Sequence, residues 1–136
     1  MDTPESLAQS VIANSAVNAL ISNRLYPNAA PKGFRYPAVV YHAYHTEQAY
    51  DMAGPINTAD VYIQFDIYGS SFSSTSAVSV ALQSFLNAFT GTLSNNDVVT
   101  ACFLENALDM PYVPDSQPSG ISFHSILQYR VVRKRS

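Results

Sequence analysis

The chain has 136 residues, which is enough for one domain and too short for two ordinary ones. Only 12% of the residues are charged, which is about half the share typical of soluble globular domains, whereas 12% are aromatic, as nine Tyr and seven Phe without Trp. A surface that is poor in charge and rich in Tyr resembles the centre of protein–protein interfaces. This composition favours an assembly subunit over a soluble monomer with a Ser-, Thr- and Asn-rich exterior.

The charges are distributed unevenly along the chain. The net charge is −3, but residues 1–129 carry 3 basic against 10 acidic groups, and the other four basic residues lie within 130–136. An acidic body with a basic end argues against broad nucleic-acid binding, which requires a basic face with many phosphate contacts. Two interpretations of the basic end stay open. It is either a solvated terminus or an electrostatic contact with a neighbouring subunit's acidic surface or with DNA passing nearby.

The single cysteine and the N-terminus bear on the compartment. Cys102 lies in the apolar run 98–104, which predicts a buried, inert thiol and a reducing environment. Residues 1–5 show neither the basic nor the apolar region of a signal peptide. No apolar run approaches the ~20 residues needed to cross a bilayer, so no membrane association is expected.

The first predicted element is an N-terminal helix. Asp2 or Thr3 can cap it, and apolar residues recur with helical spacing from Leu7 to Ile21, so that it is expected to end near Asn23. A loop over 27–37 follows, since this segment holds three Pro and one Gly.

Two strands are predicted next, over 38–46 and 61–68. The first is apolar on both faces, and the second alternates between apolar and polar residues. The 47–59 segment between them is predicted to be a long polar hairpin loop, and loops of that length are usually functional or mobile. The polar face of the second strand consists of Tyr62, Gln64, Asp66 and Tyr68.

A second helix, capped by serines within 69–73, is predicted from the apolar spacing between Val78 and Phe89, and Gly91 ends it. A third strand over 98–108, a Pro-containing loop over 109–119 and a last strand over 121–133 complete the chain. The order α-β-β-α-β-β predicts an α+β fold in a single domain spanning 1–136. We expect a mostly antiparallel four-stranded sheet with two helices packed on one face.

A search for convergent polar groups predicts no catalytic residue, cofactor or metal site. His42 and His45 are three residues apart, which on a strand sends them to opposite faces, and His124 is isolated. Asp60 and Asp66 share a strand face but lie roughly 20 Å apart, too far for a catalytic pair within that strand. No zinc, calcium-loop, P-loop or nucleophile-elbow motif occurs. The protein is therefore expected not to be an enzyme.

Several segments, taken in their order and spacing, resemble a family of phage and prophage tail completion proteins. These segments are Arg-Leu-Tyr-Pro at 24–27 with Ala-Pro at 30–31, Tyr-Pro-Ala-Val-Val-Tyr at 36–41, Val-Tyr-Ile-Gln-Phe-Asp-Ile-Tyr-Gly at 61–69 and Gln-Tyr-Arg-Val-Val at 128–132. The 109–119 loop and the basic end depart from this resemblance. Members of the family serve as tail terminator or head-to-tail joining subunits.

The resemblance implies that six copies form a ring on the tail tube at its head-proximal end. Such a ring would stop tube polymerisation and join the tail to the head. The implied partners are other copies of the chain, the tail tube protein and a head–tail connector protein, with DNA passing non-specifically through the lumen. The implied location is the virion tail, after synthesis in the bacterial host cytoplasm. The alternatives are a head–tail connector subunit or a small non-enzymatic protein-binding adaptor.

A closed ring requires two different contact surfaces on each subunit. The polar face of the 61–68 strand is one candidate, the 47–59 loop is another, and the basic end could face the lumen or a neighbour. The predicted interface residues are Tyr50, Met52, Tyr62, Asp66, Tyr68, Arg130, Arg133 and Lys134.

Overall fold

The computed structural model describes residues 3–29, 31–87, 89–112 and 122–135. Within these ranges the chain forms three helices and one six-stranded sheet with the strand order β1-β2-β3-β6-β5-β4. Strand β1 pairs in parallel with β2, and every other pair is antiparallel. The elements are α1 (Thr3–Ala13), α2 (Ser15–Ile21), β1 (Leu25–Pro27), β2 (Ala38–Asp51), β3 (Gly54–Gly69), α3 (Phe72–Leu86), β4 (Gly91–Thr92), β5 (Val98–Tyr112) and β6 (Ser122–Lys134).

The predicted fold class is wrong in three respects. The sheet is a mixed, curled half-barrel rather than a mostly antiparallel layer, and it has six strands rather than four. Three helices replace the predicted two, because the first helix breaks at Asn14. The Asn14 side chain accepts a hydrogen bond from the backbone N–H of Val17 at 3.1 Å and so caps α2. The predicted cap Asp2 lies outside the described residues.

The segment 47–59, predicted as a loop, is instead the distal part of a long hairpin. Strand β2 continues to Asp51 and β3 begins at Gly54, so the two strands are joined by a turn at Met52 and Ala53. The β2–β3 register shifts twice, between Ala43 and His45 and again between Gln48 and Tyr50. The second shift sets one residue of β2 against residues 56–58 of β3, and Gly54, Pro55 and Asn57 give this part of the sequence the composition of a turn.

The β5–β6 hairpin is also longer than predicted at its distal end. Strand β5 continues to Tyr112, through the first four residues of the predicted 109–119 loop, and the rest of that loop lies outside the described residues. The β5–β6 register shifts between Val99 and Ala101 and between Leu104 and Asn106.

Strands β3 and β6 join the two hairpins at the centre of the sheet. Their antiparallel pairing extends from Thr58 opposite Lys134 to Gly69 opposite Phe123. The apolar residues predicted to share one face of β3 are at most 3% exposed, which confirms the predicted alternation. They pack with apolar residues of all three helices, so we call this side the helix-covered face. We call the opposite side, which bears Tyr62, Asp66 and Tyr68, the open face.

The turn from β3 into α3 holds the helix close to the end of the sheet. Ser71 caps α3 by accepting a hydrogen bond from the backbone N–H of Ser74 at 3.1 Å, which confirms the predicted serine cap. The Thr75 hydroxyl donates to the Ser71 carbonyl at 2.9 Å. A Cβ on Gly69 would collide with the Thr75 Oγ1 atom, so only glycine permits this approach.

Tyr129 of β6 lies at the centre of the core and ties the sheet to α3. Its ring is fully buried and contacts Phe65 edge-on, with centroids 6.2 Å apart. Its hydroxyl donates a hydrogen bond to Oδ1 of Asn87, the C-cap of α3, at 3.0 Å. Burial, with a smaller effect of Cys102, raises the pKa of Tyr129. Burial also raises the pKa of the Cys102 thiol to about 12, in keeping with the predicted inert, buried cysteine.

We expect Tyr129→Phe to lower the free energy of unfolding by about 1 kcal/mol, because it removes one hydrogen bond and leaves the packed ring in place. Urea unfolding of Tyr129→Phe, Asn87→Ala and the double variant measures the effect. The double variant should lose little more than either single variant, since both remove the same interaction. Fully additive losses would contradict this assignment.

Candidate interaction surface

The open face brings together four of the predicted interface residues. Tyr62, Asp66 and Tyr68 project from β3, and Arg130 projects from β6 directly opposite Tyr62. All four are half-buried rather than fully exposed. They are adjacent because the two-residue period of β3 and its register with β6 place them on one side of the sheet.

A ladder of polar side chains surrounds Asp66. Gln128 Nε2 donates to Gln64 Oε1 at 2.9 Å, and Gln64 Nε2 donates to Asp66 Oδ1 at 2.9 Å. His124 Nε2 lies 3.4 Å from the same Asp66 oxygen. Burial alone would raise the pKa of Asp66, but these hydrogen bonds and the nearby His124 and His42 outweigh burial and lower it. Asp66 therefore stays a carboxylate that its own sheet stabilises.

Aromatic packing covers the Tyr68 end of the open face. The Tyr68 and His124 rings are stacked with centroids 4.5 Å apart, and Phe34 contacts Tyr68 edge-on at 5.9 Å. Phe34 also contacts Tyr36, with centroids 5.2 Å apart, so the segment before β2 folds over this end. His124 stands isolated in the sequence. Only the β3–β6 register reveals its place beside Asp66 and Tyr68.

Arg130 lies within a small network of opposite charges. Its Nε atom is 3.1 Å from Glu105 Oε1, and its Nη1 atom is 3.6 Å from Asp60 Oδ2. The guanidinium carbon lies 4.9 Å from the ring centroid of Phe103, within the range of a cation–π contact. Because these groups are partly exposed, each ion pair contributes little to stability. Arg130 is thus neutralised by its own chain and does not present a free positive charge.

The Tyr62 end of the open face continues into the exposed part of the β2–β3 hairpin. Tyr62 lies against His45 and Tyr44, with ring centroids 5.3 and 6.0 Å away. Farther along, Tyr50 is 69% exposed and Met52 in the turn is fully exposed. Tyr and Met are enriched at protein interfaces, so this end has the composition of a contact surface.

The predicted residues of the basic end do not form one group. Arg133 is only 6% exposed and lies on the helix-covered face, whereas Lys134 is exposed. Burial and the nearby Arg135 lower the pKa of Arg133, and Asp97 opposes them. Asp97 is itself buried and accepts hydrogen bonds from Thr3 Oγ1 at 2.7 Å and from Asn95 Nδ2 at 2.9 Å. Asp97 therefore links the β4–β5 segment to the start of α1, and Arg133 lies near enough to feel its charge.

The described ranges hold no group of three or more His, Cys, Asp and Glu side chains arranged to bind a metal ion. Among the same residues, no helix combines the length and the apolar character that crossing a membrane requires.

We expect Asp66→Asn to lower the free energy of unfolding at pH 7 by about 1 to 3 kcal/mol, since it removes a buried charged acceptor. The pKa of Asp66 is lowered on folding, so its stabilising effect is present above the unfolded value of 3.8. The difference between the wild type and the variant should therefore shrink as the pH falls from 3.8 through the lower folded pKa. Urea unfolding between pH 2 and pH 7 measures it.

Glu47→Gln is the matched control, because Glu47 pairs with His45 at 3.2 Å on the exposed surface, where such pairs contribute little. A loss for Asp66→Asn that stays constant down to the lowest pH would contradict the assigned role of the Asp66 charge.

Comparison with known proteins identifies the family. The family model described as "Tail completion protein gp17" matches residues 5–132. A search of curated protein sequences finds no match to this chain. Among solved structures, the chain is similar to one in the "Virion of native gene transfer agent (GTA) particle". The TM-score is 0.75 at 16% identity, covering 96% of this chain and 93% of that one, which shows a shared fold.

The family match confirms the resemblance seen in the sequence and covers all four segments that carry it. It also supports the prediction of a structural protein without enzymatic activity. The chain belongs to the phage tail completion protein family, whose members are structural proteins of the virion tail.

Proposed function

We propose that this protein is the tail terminator of a phage-type particle. Copies of the chain, six by the resemblance, form a ring at the head-proximal end of the tail. The ring stops polymerisation of the tail tube and joins the tail to the head. Its partners are the tail tube protein, a head–tail connector protein and other copies of itself, and DNA passes through its lumen. The match of the tail completion family across residues 5–132 is the observation that carries this proposal.

The projecting β2–β3 hairpin supports a contact with a second protein. Thr58 is the last residue of β3 that pairs with β6, so the hairpin tip beyond it extends past the end of the β6 pairing. Tyr50 and Met52 are exposed at this tip. A projecting hairpin with exposed Tyr and Met side chains fits a ring that contacts another ring stacked along the tail axis. We therefore assign the tip to the contact with the tube or the connector.

The open face and the basic end supply further proposed contacts. Tyr62 and its aromatic neighbours form the part of the open face nearest the hairpin tip. Asp66 and Tyr68 lie farther from the hairpin tip on the same face. Their contacts with Gln64 and His124 fix their positions on the surface that a neighbouring subunit would contact. Lys134 is exposed beside the base of the hairpin, since the adjacent Arg135 N–H donates to the Asn57 carbonyl at 3.0 Å. Arg130 contributes together with its ion-pair partners Asp60 and Glu105, whereas Arg133 is buried.

Electron microscopy of particles assembled without this protein tests the proposal. We expect tail tubes of uncontrolled length and heads without tails, because nothing then stops the tube or connects it to the head. Supplying the purified protein should restore uniform tails. Tails of normal, uniform length in its absence would rule out a terminator, and if such tails fail to join heads, the chain is a connector subunit instead.

A tip variant separates the proposed contact from folding. We expect Tyr50→Ala combined with Met52→Ala to preserve the free energy of unfolding within about 0.5 kcal/mol, because both side chains are exposed. Complementation with this variant should give at least tenfold fewer complete particles. The matched control is Val80→Ala, which changes an exposed apolar residue of α3 and should complement fully. Full complementation by the tip variant would remove the tip from the proposed contact.

A further inference from the structure

Strands β2 and β5 each have a long stretch that lacks a pairing partner on its outer side within the described residues. Strand β1 pairs only with residues 39–41 of β2, and β4 pairs only with residues 98 and 99 of β5. Among the residues that the structure describes, 42–47 of β2 and 101–112 of β5 therefore form backbone pairs on one side only. Such an edge presents alternate N–H and C=O groups that can pair with a strand from another chain.

The apolar side chains that remain exposed are concentrated on these two strands. Eight large apolar side chains are exposed in the part of the chain that the structure describes, and five of them lie on β2 and β5. These five are between 37% and 69% exposed: Tyr44, Tyr50, Phe103, Leu104 and Leu108. Segments 42–51 and 101–110 contain no Lys, Arg or Pro, the residues that commonly protect a sheet edge from pairing, and Pro111 lies only at the far end of β5.

A groove borders each unpaired stretch where the short edge strand ends. Beyond β4, a groove of about 460 Å³ is lined by Asn87, Thr90 and residues 100–104 of β5. Beyond β1, a groove of about 400 Å³ is lined by residues 41–43 of β2, Pro27 and Asn28, together with Pro4 and Glu5 of α1. Each groove leaves room for an added strand next to the exposed backbone.

The direction of the strands determines how a second copy fits. Strands β2 and β5 are antiparallel to each other, because three successive antiparallel pairings separate them. A copy rotated about an axis that runs along the strands keeps the strand directions, so its β2 lies antiparallel to β5 of the first copy. The two edges differ, so the contact is heterologous and repeats around the axis until it closes.

The lengths of the free stretches leave room for the stagger that a closed sheet requires. Register across the sheet places His42 level with Asn106 and Glu47 level with Ala101. The free stretch of β5 continues beyond this level as far as Tyr112. A shift of several residues along the strands, without which a barrel does not close, therefore still leaves residues 42–47 opposite free residues of β5. The sheet of one copy is already curled into a half-barrel.

We propose that neighbouring copies of this chain join edge to edge, β2 of one copy pairing antiparallel with β5 of the next, so that the sheet continues around the ring. Tyr44 on one edge and Phe103, Leu104 and Leu108 on the other then cover one another, while Tyr50 stays with the hairpin tip. This inference rests on the ring of the proposed function and names the contact that builds it.

Disulfide cross-linking tests both the contact and its heterologous nature. In a Cys102→Ala background, one protein carries Tyr44→Cys or Thr46→Cys, and another carries Asn106→Cys or Leu108→Cys. Under mild oxidation at least one β2–β5 mixture should give a covalent dimer, and neither protein alone should. A chain with both cysteines should give a ladder of oligomers up to the closed ring. The reaction is run on purified protein and on assembled particles.

Two outcomes of the cross-linking would overturn the inference. Efficient dimers from a single β2 or β5 variant alone would show pairing between like edges. The absence of any β2–β5 cross-link in assembled particles would show that the edges do not meet.

Charge substitutions supply an independent test by native mass spectrometry of the oligomers. We expect Leu108→Lys to weaken self-association at least tenfold, and Tyr44→Glu on the opposing edge to recover part of the loss. Val80→Lys is the matched control on α3, where Val80 is 60% exposed, and it should assemble as the wild type does. Unfolding by urea checks that all variants are folded.

The two proposals fail in different ways. If Leu108→Lys assembles normally and also terminates tails, edge pairing is wrong and the terminator function stands. If tails have normal length and join heads without the protein, the function is wrong, whatever the cross-links show.

Discussion

The antiparallel pairing of β3 with β6 is the interaction on which the rest of the structure depends. It joins two hairpins that are otherwise separate, from Thr58 opposite Lys134 to Gly69 opposite Phe123. It places Tyr129 beside Ile63 at the centre of the core, where the Tyr129 hydroxyl reaches the end of α3. Because the hairpins meet through their inner strands, β2 and β5 lie toward the outside, where only three and two residues of β1 and β4 cover them.

The alternation of β3 and β6 explains why the low charge content of the chain does not leave an apolar open face. Apolar residues point into the helix-covered face, and the polar ones on the other side bind one another. Asp66 lies beside His124, and Arg130 lies between Asp60 and Glu105. The exposed large apolar groups of the sheet lie instead on β2 and β5, with Met52 in the turn at the hairpin tip. The composition of the chain indicated that it has a contact surface. The register of the sheet shows where the apolar part of that surface lies.

The elements predicted correctly are those whose apolar residues recur with an uninterrupted period. The alternation of β3 and the helical spacing of α3 each mark a face that is buried in the structure. The strands of the hairpin tip were not predicted because Gly54, Pro55 and Asn57 indicate a turn, and β1 and β4 are too short to show a period. The break at Asn14 was missed because the apolar spacing continues across it.

The part of the candidate site that lies on β3 alone could be predicted from the sequence. Tyr62, Asp66 and Tyr68 share a face because they are separated by even numbers of residues. The same rule places Arg133 with the buried Tyr129 and Val131, although its charge suggested an exposed position. The contacts of Asp66 with His124 and of Arg130 with Glu105 depend on registers between strands, which a single sequence does not contain.

The bulges of β2 and β5 bear on how a chain with two unpaired edges avoids uncontrolled aggregation. An unbroken apolar edge pairs with any other extended strand, whereas a bulge twists the edge and limits pairing to short stretches. In β5 the longest stretch without a register shift runs from Asn106 to Tyr112, and in β2 the bulges lie on either side of residues 45–48. Short stretches pair weakly on their own. In the proposed ring each copy contributes both edges, so the last copy to enter forms two contacts at once and leaves no free edge of this kind. Closure would thus favour the complete ring over open chains, as a protein that stops growth at the end of a tube requires.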